Sequence, residues 1–216
     1  MSERVADDGL ILTIGSKSYS SWSLRPWLAL KQAGVAFSEM KIALHRPDTE
    51  EQVRAVSPSG YVPLFKEGGL LVWDSLSICE YVAERFPAAG LWPADRAARA
   101  VARSVSAEMH AGFPDLRKHL SFNCRTRLPG FQVPPEARED ADRVLTLWSD
   151  LRARFGKEGP FLFGSFSVAD AMYAPVVLRF QTYDVKLEGA TAAYASAVRE
   201  LPAMQQWVAE ARLETE

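Results

Sequence analysis

Hydrophobic and polar positions up to Phe86 alternate between the spacing of strands and that of helices. Gly34 ends one helical stretch, and a turn at residues 66–69 separates two apolar runs that form a hairpin. The order β-α-β-α-β-β-α favours a partly parallel sheet with an antiparallel hairpin at its end. The predicted strands span residues 10–14, 35–42, 62–65 and 70–72, and the predicted helices span residues 22–33, 49–56 and 75–86.

The pattern changes after Phe86. Residues 87–93 contain the prolines and glycine of a linker, and beyond them the apolar positions recur with helical spacing. Ser167 and Asp170 form a capping-box pattern, which we interpret as structural. The sequence therefore predicts an α/β domain over residues 1–88 and an all-helical domain over residues 89–216. The predicted helices of the second domain span residues 96–120 and 135–155, a segment that opens at Ser167, and residues 191–200 and 202–212.

Composition argues against several functional classes. The 216 residues are 48% hydrophobic and 24% charged, as in soluble globular proteins, and the net charge of -2 does not favour nucleic-acid binding. No zinc-ligand spacing is present, and the apolar stretches are too short to span a membrane. Cys79 and Cys124 are isolated, and the polar stretch at residues 1–8 does not resemble a signal peptide. We therefore expect a cytoplasmic protein without a metal site, in which Cys79 is buried.

Four serines, Ser18, Ser20, Ser21 and Ser23, lie between the first strand and the first helix. A helix N-terminus offers unpaired N–H groups and a partial positive charge, which favour an anion such as a thiolate. Capping needs one hydroxyl, so it accounts for Ser23 and leaves Ser20 and Ser21 for a ligand. Ser20 and Ser23 also have the spacing of a C-x-x-C redox pair, and serine at both positions excludes dithiol–disulfide exchange there.

Two further stretches are candidates for contact with a peptide-like ligand. Pro63 opens a strand after a turn, and a cis Val62–Pro63 bond would turn the backbone of Val62 towards such a ligand, although most X–Pro bonds are trans. Asp74 and Ser75 begin the last helix of the first domain. Ser75 either caps that helix or binds a carboxylate while Asp74 takes an ammonium group, the pairing that an amino-acid head group needs.

Together these stretches resemble the glutathione transferase family, whose pattern is a Ser, Tyr or Cys at the first helix, then N-P-x-G-x-V-P-x-L, then E/Q/D-S-x-A-I. The capping box at Ser167 also resembles one in that family. The resemblance implies a thioredoxin-like domain that binds glutathione as co-substrate, an all-helical second domain, a cis Val62–Pro63 bond and a homodimer. The matching segments are SSWSLR at residues 20–25, SPSGYVPL at 57–64 and DSLSI at 74–78.

The resemblance also implies residue roles. Ser20 precedes Arg25 by five residues, as the catalytic serine does in zeta- and tau-like members, so we expect Ser20 to donate a hydrogen bond to the glutathione thiolate. Ser21 is the second candidate and Tyr19 is a rival. Three departures are Ser57 for Asn, Asp74 for Glu or Gln, and Trp22 where zeta members carry Cys, so zeta isomerase chemistry is not carried over. The other expected glutathione contacts are Tyr19, Trp22, Ser23, Tyr61, Val62, Pro63, Asp74 and Ser75.

A small electrophile is expected between the two domains, where ligands commonly bind. Met109 and Phe113 share a helix face, which is either a wall of this pocket or core. His110 lies off that face, and Arg117 is a candidate for binding an acidic substrate. The predicted reaction is conjugation of glutathione to the electrophile, as in detoxification. The alternatives are a glutathione-dependent isomerase and a non-catalytic glutathione-binding or interaction module, whereas a thiol oxidoreductase would need Cys at position 20.

Overall fold

The computed structural model describes residues 9–215, so the stretch interpreted above as not being a signal peptide lies outside the described residues. A four-stranded sheet in the order β2-β1-β3-β4 forms the first part of the fold. Strand β1 pairs in parallel with β2 and antiparallel with β3, and β3 and β4 form the predicted hairpin. The strands are β1 (Ile11–Gly15), β2 (Ser38–Ile42), β3 (Leu64–Glu67) and β4 (Leu70–Trp73).

Helices α1 (Ser21–Gln32) and α3 (Ser75–Arg85) pack against each other and against the sheet, and α2 (Thr49–Val56) contacts β2. Alternate residues of β1 face this layer, because side chains along a strand point in turn to opposite faces. Leu12 and Ile14 are accordingly fully buried. The observed order confirms the predicted mixed sheet with interleaved helices.

The second part is helical, as predicted. Helix α7 is buried along nearly its whole length, and it packs against α1, α4 and α8. Because α1 also belongs to the sheet layer, the α1–α7 contact joins the two parts into one hydrophobic core. Among residues 9–215, no helix is both long and apolar enough to cross a bilayer. The helices are α4 (Arg96–Ala111), α5 (Pro114–His119), α6 (Pro135–Phe155), α7 (Val168–Thr182), α8 (Gly189–Glu200) and α9 (Pro202–Arg212).

The predicted continuous helix over residues 96–120 is wrong. Helix α4 ends at Ala111, Phe113 adopts a left-handed conformation with φ of 59°, and α5 begins at Pro114. Proline has no N–H to donate and disfavours helical geometry in the residue before it, so Pro114 enforces the break. The second strand is also shorter than predicted, because it begins at Ser38 rather than residue 35.

Candidate active site

The N-terminus of α1 carries a chain of hydroxyls. Ser20 is the N-cap, so the interpretation that Ser23 caps this helix is wrong: Ser20 Oγ accepts from the N–H of Ser23 at 3.3 Å and donates to Ser23 Oγ at 2.7 Å. Ser23 Oγ in turn accepts from the N–H of Gly15 at 3.1 Å. Within residues 9–215, the backbone N–H of Trp22 has no hydrogen-bond partner, and no acidic side chain lies in the first turn. This helix end therefore keeps an open donor and its partial positive charge.

The other two candidate hydroxyls are bound elsewhere. Ser21 Oγ accepts from Nη2 of Arg179 on α7 at 3.2 Å, and Ser21 is buried. The Tyr19 hydroxyl accepts from Nη2 of Arg125 at 2.7 Å, while its ring meets the His45 ring edge-on. Only the Ser20 hydroxyl is held at the helix end by residues of the same turn.

A cleft of about 360 Å³ opens beside this helix end. It brings together seven of the residues singled out from the sequence and adds Ser59 and Trp73 to them. Both additions adjoin predicted stretches, because Ser59 lies in the turn before Tyr61 and Trp73 precedes Asp74. Tyr19, Ser20, Ser21 and Ser23 do not line the cleft, and Ser20 is 5% exposed. The lining residues are Trp22, Ser59, Tyr61, Val62, Pro63, Trp73, Asp74, Ser75 and His110.

The two other motif stretches meet at this cleft. The Val62–Pro63 peptide bond is cis. Asp74, with φ of 73°, caps α3 by accepting from the N–H of Leu76 at 2.8 Å, so the alternative that Ser75 caps α3 is wrong. Ser75 Oγ is buried and has no hydrogen-bond partner within residues 9–215. Because an unpaired buried hydroxyl is costly, it marks a position where a ligand atom would be stabilised.

Cationic groups gather around Trp22. The Arg25 guanidinium lies 4.2 Å from the ring centroid, and Arg117 lies 5.8 Å from it. Burial, followed by the charge of Arg179, lowers the pKa of Arg25 to about 9, and burial lowers the pKa of Arg117. Within the described part of the chain, Nε and Nη1 of Arg25 are buried and unpaired. The region behind Trp22 is therefore strongly electropositive.

His110 reaches the cleft from α4. Its Nε2 lies 3.3 Å from Asp74 Oδ2, and its ring meets Trp22 edge-on at 5.3 Å between centroids. Met109 and Phe113, in contrast, are only 1% and 5% exposed and belong to the hydrophobic core. They do not line the cleft, because both side chains are buried in the core and the chain turns at Phe113, and Arg117 does not line it either. Cys79 is also buried, as predicted, and burial raises the pKa of its thiol well above the ordinary value.

Comparison with known proteins shows which family this chain resembles. The model of the glutathione S-transferase N-terminal domain matches residues 19–85, and that of the C-terminal domain matches residues 94–210. Maleylacetoacetate isomerase of Rattus norvegicus is 32% identical over 175 residues, which are 79% of this chain and 78% of that protein. Matches to the probable maleylacetoacetate isomerase of Caenorhabditis elegans and the mouse isomerase, each 32% identical, span under half of those proteins, 46% and 47%.

Solved structures agree with this fold. Maleyl pyruvate isomerase, a bacterial zeta-class glutathione S-transferase, superposes with a TM-score of 0.74 at 21% identity over 95% of this chain and 100% of that chain. A glutathione transferase homolog from Burkholderia with bound glutathione superposes with a TM-score of 0.71 at 23% identity over 94% and 97% of the two chains. Both family models together cover most of the chain, from residue 19 to residue 210. The chain therefore belongs to the glutathione S-transferase family.

Proposed function

We propose that this protein is a glutathione transferase that ionises the glutathione thiol at the N-terminus of α1 and transfers the sulfur to a small electrophile. The observation that carries the proposal is the pairing of two unsatisfied donors at one cleft, the N–H of Trp22 and the buried hydroxyl of Ser75. Membership of the glutathione S-transferase family supports it.

The cleft offers complementary groups to each part of glutathione. Ser75 donates to the γ-glutamyl carboxylate, and Asp74 accepts from the ammonium group, an arrangement of opposite charges suited to an amino-acid head group. His110 lies beside Asp74 and holds the Asp74 side chain in place. Val62, before the cis proline, presents its backbone to the cysteinyl residue of the tripeptide.

Ser20 acts on the sulfur. In the structure the Ser20 hydroxyl donates its hydrogen to Ser23 Oγ. A bound thiolate is a charged and therefore stronger acceptor, so, while Ser23 Oγ keeps the N–H of Gly15 as its donor, the Ser20 hydroxyl hydrogen rotates to the thiolate. This hydrogen bond and the helix N-terminus lower the thiol pKa from about 8.5, and a shift of about two units makes the thiolate the major form at neutral pH. The thiolate then attacks the electrophilic carbon, forming the C–S bond as the leaving group departs with its electron pair.

We further propose that the electrophile carries an anionic group. Arg117 is half-buried at the side of Trp22, and the positive charges of Arg25 and Arg179 add to the positive potential there. Glutathione-dependent isomerisation is the second candidate, and the likeness to maleylacetoacetate isomerase of Rattus norvegicus favours it. The two differ in whether glutathione is consumed. From the family resemblance we also propose a cytoplasmic homodimer that serves in detoxification.

Ser20→Ala tests the proposal, with Ser104→Ala, an exposed serine of α4, as the matched control. Glutathione binding is followed through the fluorescence of Trp22 and Trp73, which line the cleft. Conjugation is followed with an aryl halide and with a haloalkanoic acid across pH.

We expect Ser20→Ala to bind glutathione normally, to lose about 10- to 100-fold in conjugation rate at neutral pH, and to recover part of that loss at high pH. Unchanged rates would refute the role of Ser20. Absence of glutathione binding by the wild type would refute the proposed function as a whole. Turnover of a substrate without loss of glutathione would establish the isomerase in its place.

A further inference from the structure

The segment that follows α9 docks on the loop between β1 and α1. The Glu214 carboxylate accepts from the N–H of Lys17 at 2.8 Å and from the N–H and the hydroxyl of Ser18 at 2.9 and 2.7 Å. The Glu214 side chain is only 4% exposed. A buried carboxylate that receives three hydrogen bonds from one loop holds that loop in a defined conformation.

This loop carries Ser20. The N–H groups of Tyr19 and Ser20 both donate to the carbonyl of Ser16, at 3.1 and 2.8 Å. Every backbone N–H from residue 17 to residue 20 therefore has an acceptor, and Glu214 supplies the two that the loop does not provide for itself. Both sets of bonds hold the four residues that lead into α1 and end at Ser20.

Residues of β2, of α9 and of the connection between α5 and α6 also contact this loop. Lys17 forms ion pairs with Glu39, at 2.6 Å, and with Glu210. The indole of Trp207 donates to the carbonyl of Lys17 at 2.9 Å. Arg125, in the connection between α5 and α6, links the segment after α9 to the β1–α1 loop. It donates to the backbone carbonyl of Glu214 at 2.8 Å and to the Tyr19 hydroxyl.

We propose that Glu214 is a positioning residue for thiol activation: it holds the β1–α1 loop so that the Ser20 hydroxyl stays at the N-terminus of α1, although it does not itself touch glutathione. This inference rests on the proposed role of Ser20. It makes the segment after α9 a part of the machinery that sets the reactivity of the bound thiol.

Removal of Glu214 should shift the pKa of the bound thiol in one direction if Glu214 acts by positioning, and in the opposite direction if it acts only through its charge. Glu214 carries a negative charge, so through charge alone its removal would lower the pKa of the bound thiol. Loss of positioning raises that pKa, because the thiolate loses the hydrogen bond from Ser20. The direction of the shift therefore separates the two roles.

The experiment measures the thiolate absorbance of glutathione bound to the whole protein as a function of pH, together with kcat and KM at pH 7. The variants are Glu214→Ala and Glu214→Gln, with Glu200→Ala, a glutamate at the end of α8, as the control. Glutamine keeps one acceptor oxygen for the loop, so it should retain part of the effect and serves if Glu214→Ala does not fold.

We expect Glu214→Ala to raise the pKa of the bound thiol by about one unit, which lowers the thiolate fraction and kcat at pH 7 about threefold. The KM for glutathione should stay within about twofold, because within residues 9–215 none of the hydrogen-bond partners of Glu214 lines the cleft. Glu214→Gln should fall between Ala and wild type, and Glu200→Ala should match wild type. In a Ser20→Ala background, Glu214→Ala should add little further loss, since both act on one hydrogen bond.

A lowered or unchanged thiol pKa in both Glu214 variants would overturn the inference, and so would a full additional loss in the Ser20→Ala background. The proposed function fails separately. If Ser20→Ala itself leaves the thiol pKa unchanged, the role of Ser20 is refuted whatever Glu214 does. If Ser20→Ala raises the thiol pKa and the Glu214 variants do not, only the inference about Glu214 is refuted.

Discussion

Two helix N-termini in this protein, those of α1 and α7, each have a serine as N-cap and differ in the residue three positions later. At α7, Asp170 Oδ2 accepts from the N–H and the hydroxyl of Ser167 at 2.8 and 2.9 Å, and Oδ1 accepts from the N–H of Leu162 at 3.1 Å. At α1, the position three residues after Ser20 is Ser23, a neutral hydroxyl. One helix supplies its own anion, and the other does not.

This difference separates a structural cap from a binding site. A helix N-terminus favours negative charge, and at α7 the buried carboxylate of Asp170 meets that preference from within the chain at neutral pH. At α1 the preference is left to an external anion, while the Trp22 N–H stays open within residues 9–215. The acid in the first turn of α7, which α1 lacks, is therefore the difference that fits the proposed ionisation of a bound thiol at α1.

The N-terminus of α7, completed by the carboxylate of Asp170, is called the closed end, and the N-terminus of α1 is called the open end. The largest effect is expected from removing the carboxylate of the closed end. Asp170→Ala leaves the buried N–H groups of Leu162 and Ser167 without an acceptor, and each unsatisfied group costs about 1–3 kcal/mol. We expect the free energy of unfolding to fall by about 3–5 kcal/mol in urea unfolding experiments. In the protein that remains folded, the pKa of the bound glutathione thiol should not change, and a changed thiol pKa would show that the two helix ends are coupled.

The closed end should also respond to pH. The pKa of Asp170 is raised from 3.8 to about 6. Burial raises this pKa, and its effect exceeds the opposite effect of the hydrogen bonds from Leu162 and Ser167. Between these values the folded protein binds more protons than the unfolded chain, so this carboxyl's contribution to stability falls as the pH rises. A shift of about two units corresponds to about 3 kcal/mol.

Relative to Asp170→Asn, wild type should therefore lose up to about 3 kcal/mol of unfolding free energy between about pH 4 and pH 7. Urea unfolding of both proteins across this range is the measurement. Asparagine keeps one acceptor and does not titrate, so it isolates this carboxyl from the rest of the protein. A constant difference between the two proteins would contradict the raised pKa.

Converting the open end into a closed one is the next test. Ser23→Asp recreates at α1 the Ser-x-x-Asp of α7, and its carboxylate would occupy the positive end of the helix and repel a thiolate. We expect the pKa of the bound thiol to rise by about two units and kcat at pH 7 to fall about 25-fold. Ser23→Asn, similar in shape and uncharged, should lose about tenfold or less. Equal losses in both variants would assign the effect to packing.

The smallest effect is expected at Ser21. Its hydroxyl accepts from Arg179, so Ser21→Ala removes one hydrogen bond between α1 and α7. We expect about 1 kcal/mol less stability and a change of less than about threefold in kcat/KM with glutathione. A rate loss as large as that of Ser20→Ala would transfer the thiol-activating role to Ser21 and would weaken the contrast between the two helix ends.

Local patterns were sufficient to predict most of the fold. The two-residue and helical spacings predicted the mixed sheet and the helical second part, and the Ser-x-x-Asp pattern predicted the cap of α7. The break between α4 and α5 was missed, although Gly112-Phe113-Pro114 carried the signal for it. A regular apolar spacing concealed this signal, because it persists on both sides of the break.

The sequence by itself determined which residues belong to the motif stretches, because strand spacing, turn chemistry and helix caps depend on residues close together along the chain. Only the tertiary structure decided what each hydroxyl does. The Ser21–Arg179 and Tyr19–Arg125 bonds, and the three bonds from the β1–α1 loop to Glu214, join residues more than 100 positions apart. Such contacts depend on how the β1–α1 loop and α1 pack against α7, the segment after α9 and the α5–α6 connection, and no local pattern encodes that packing.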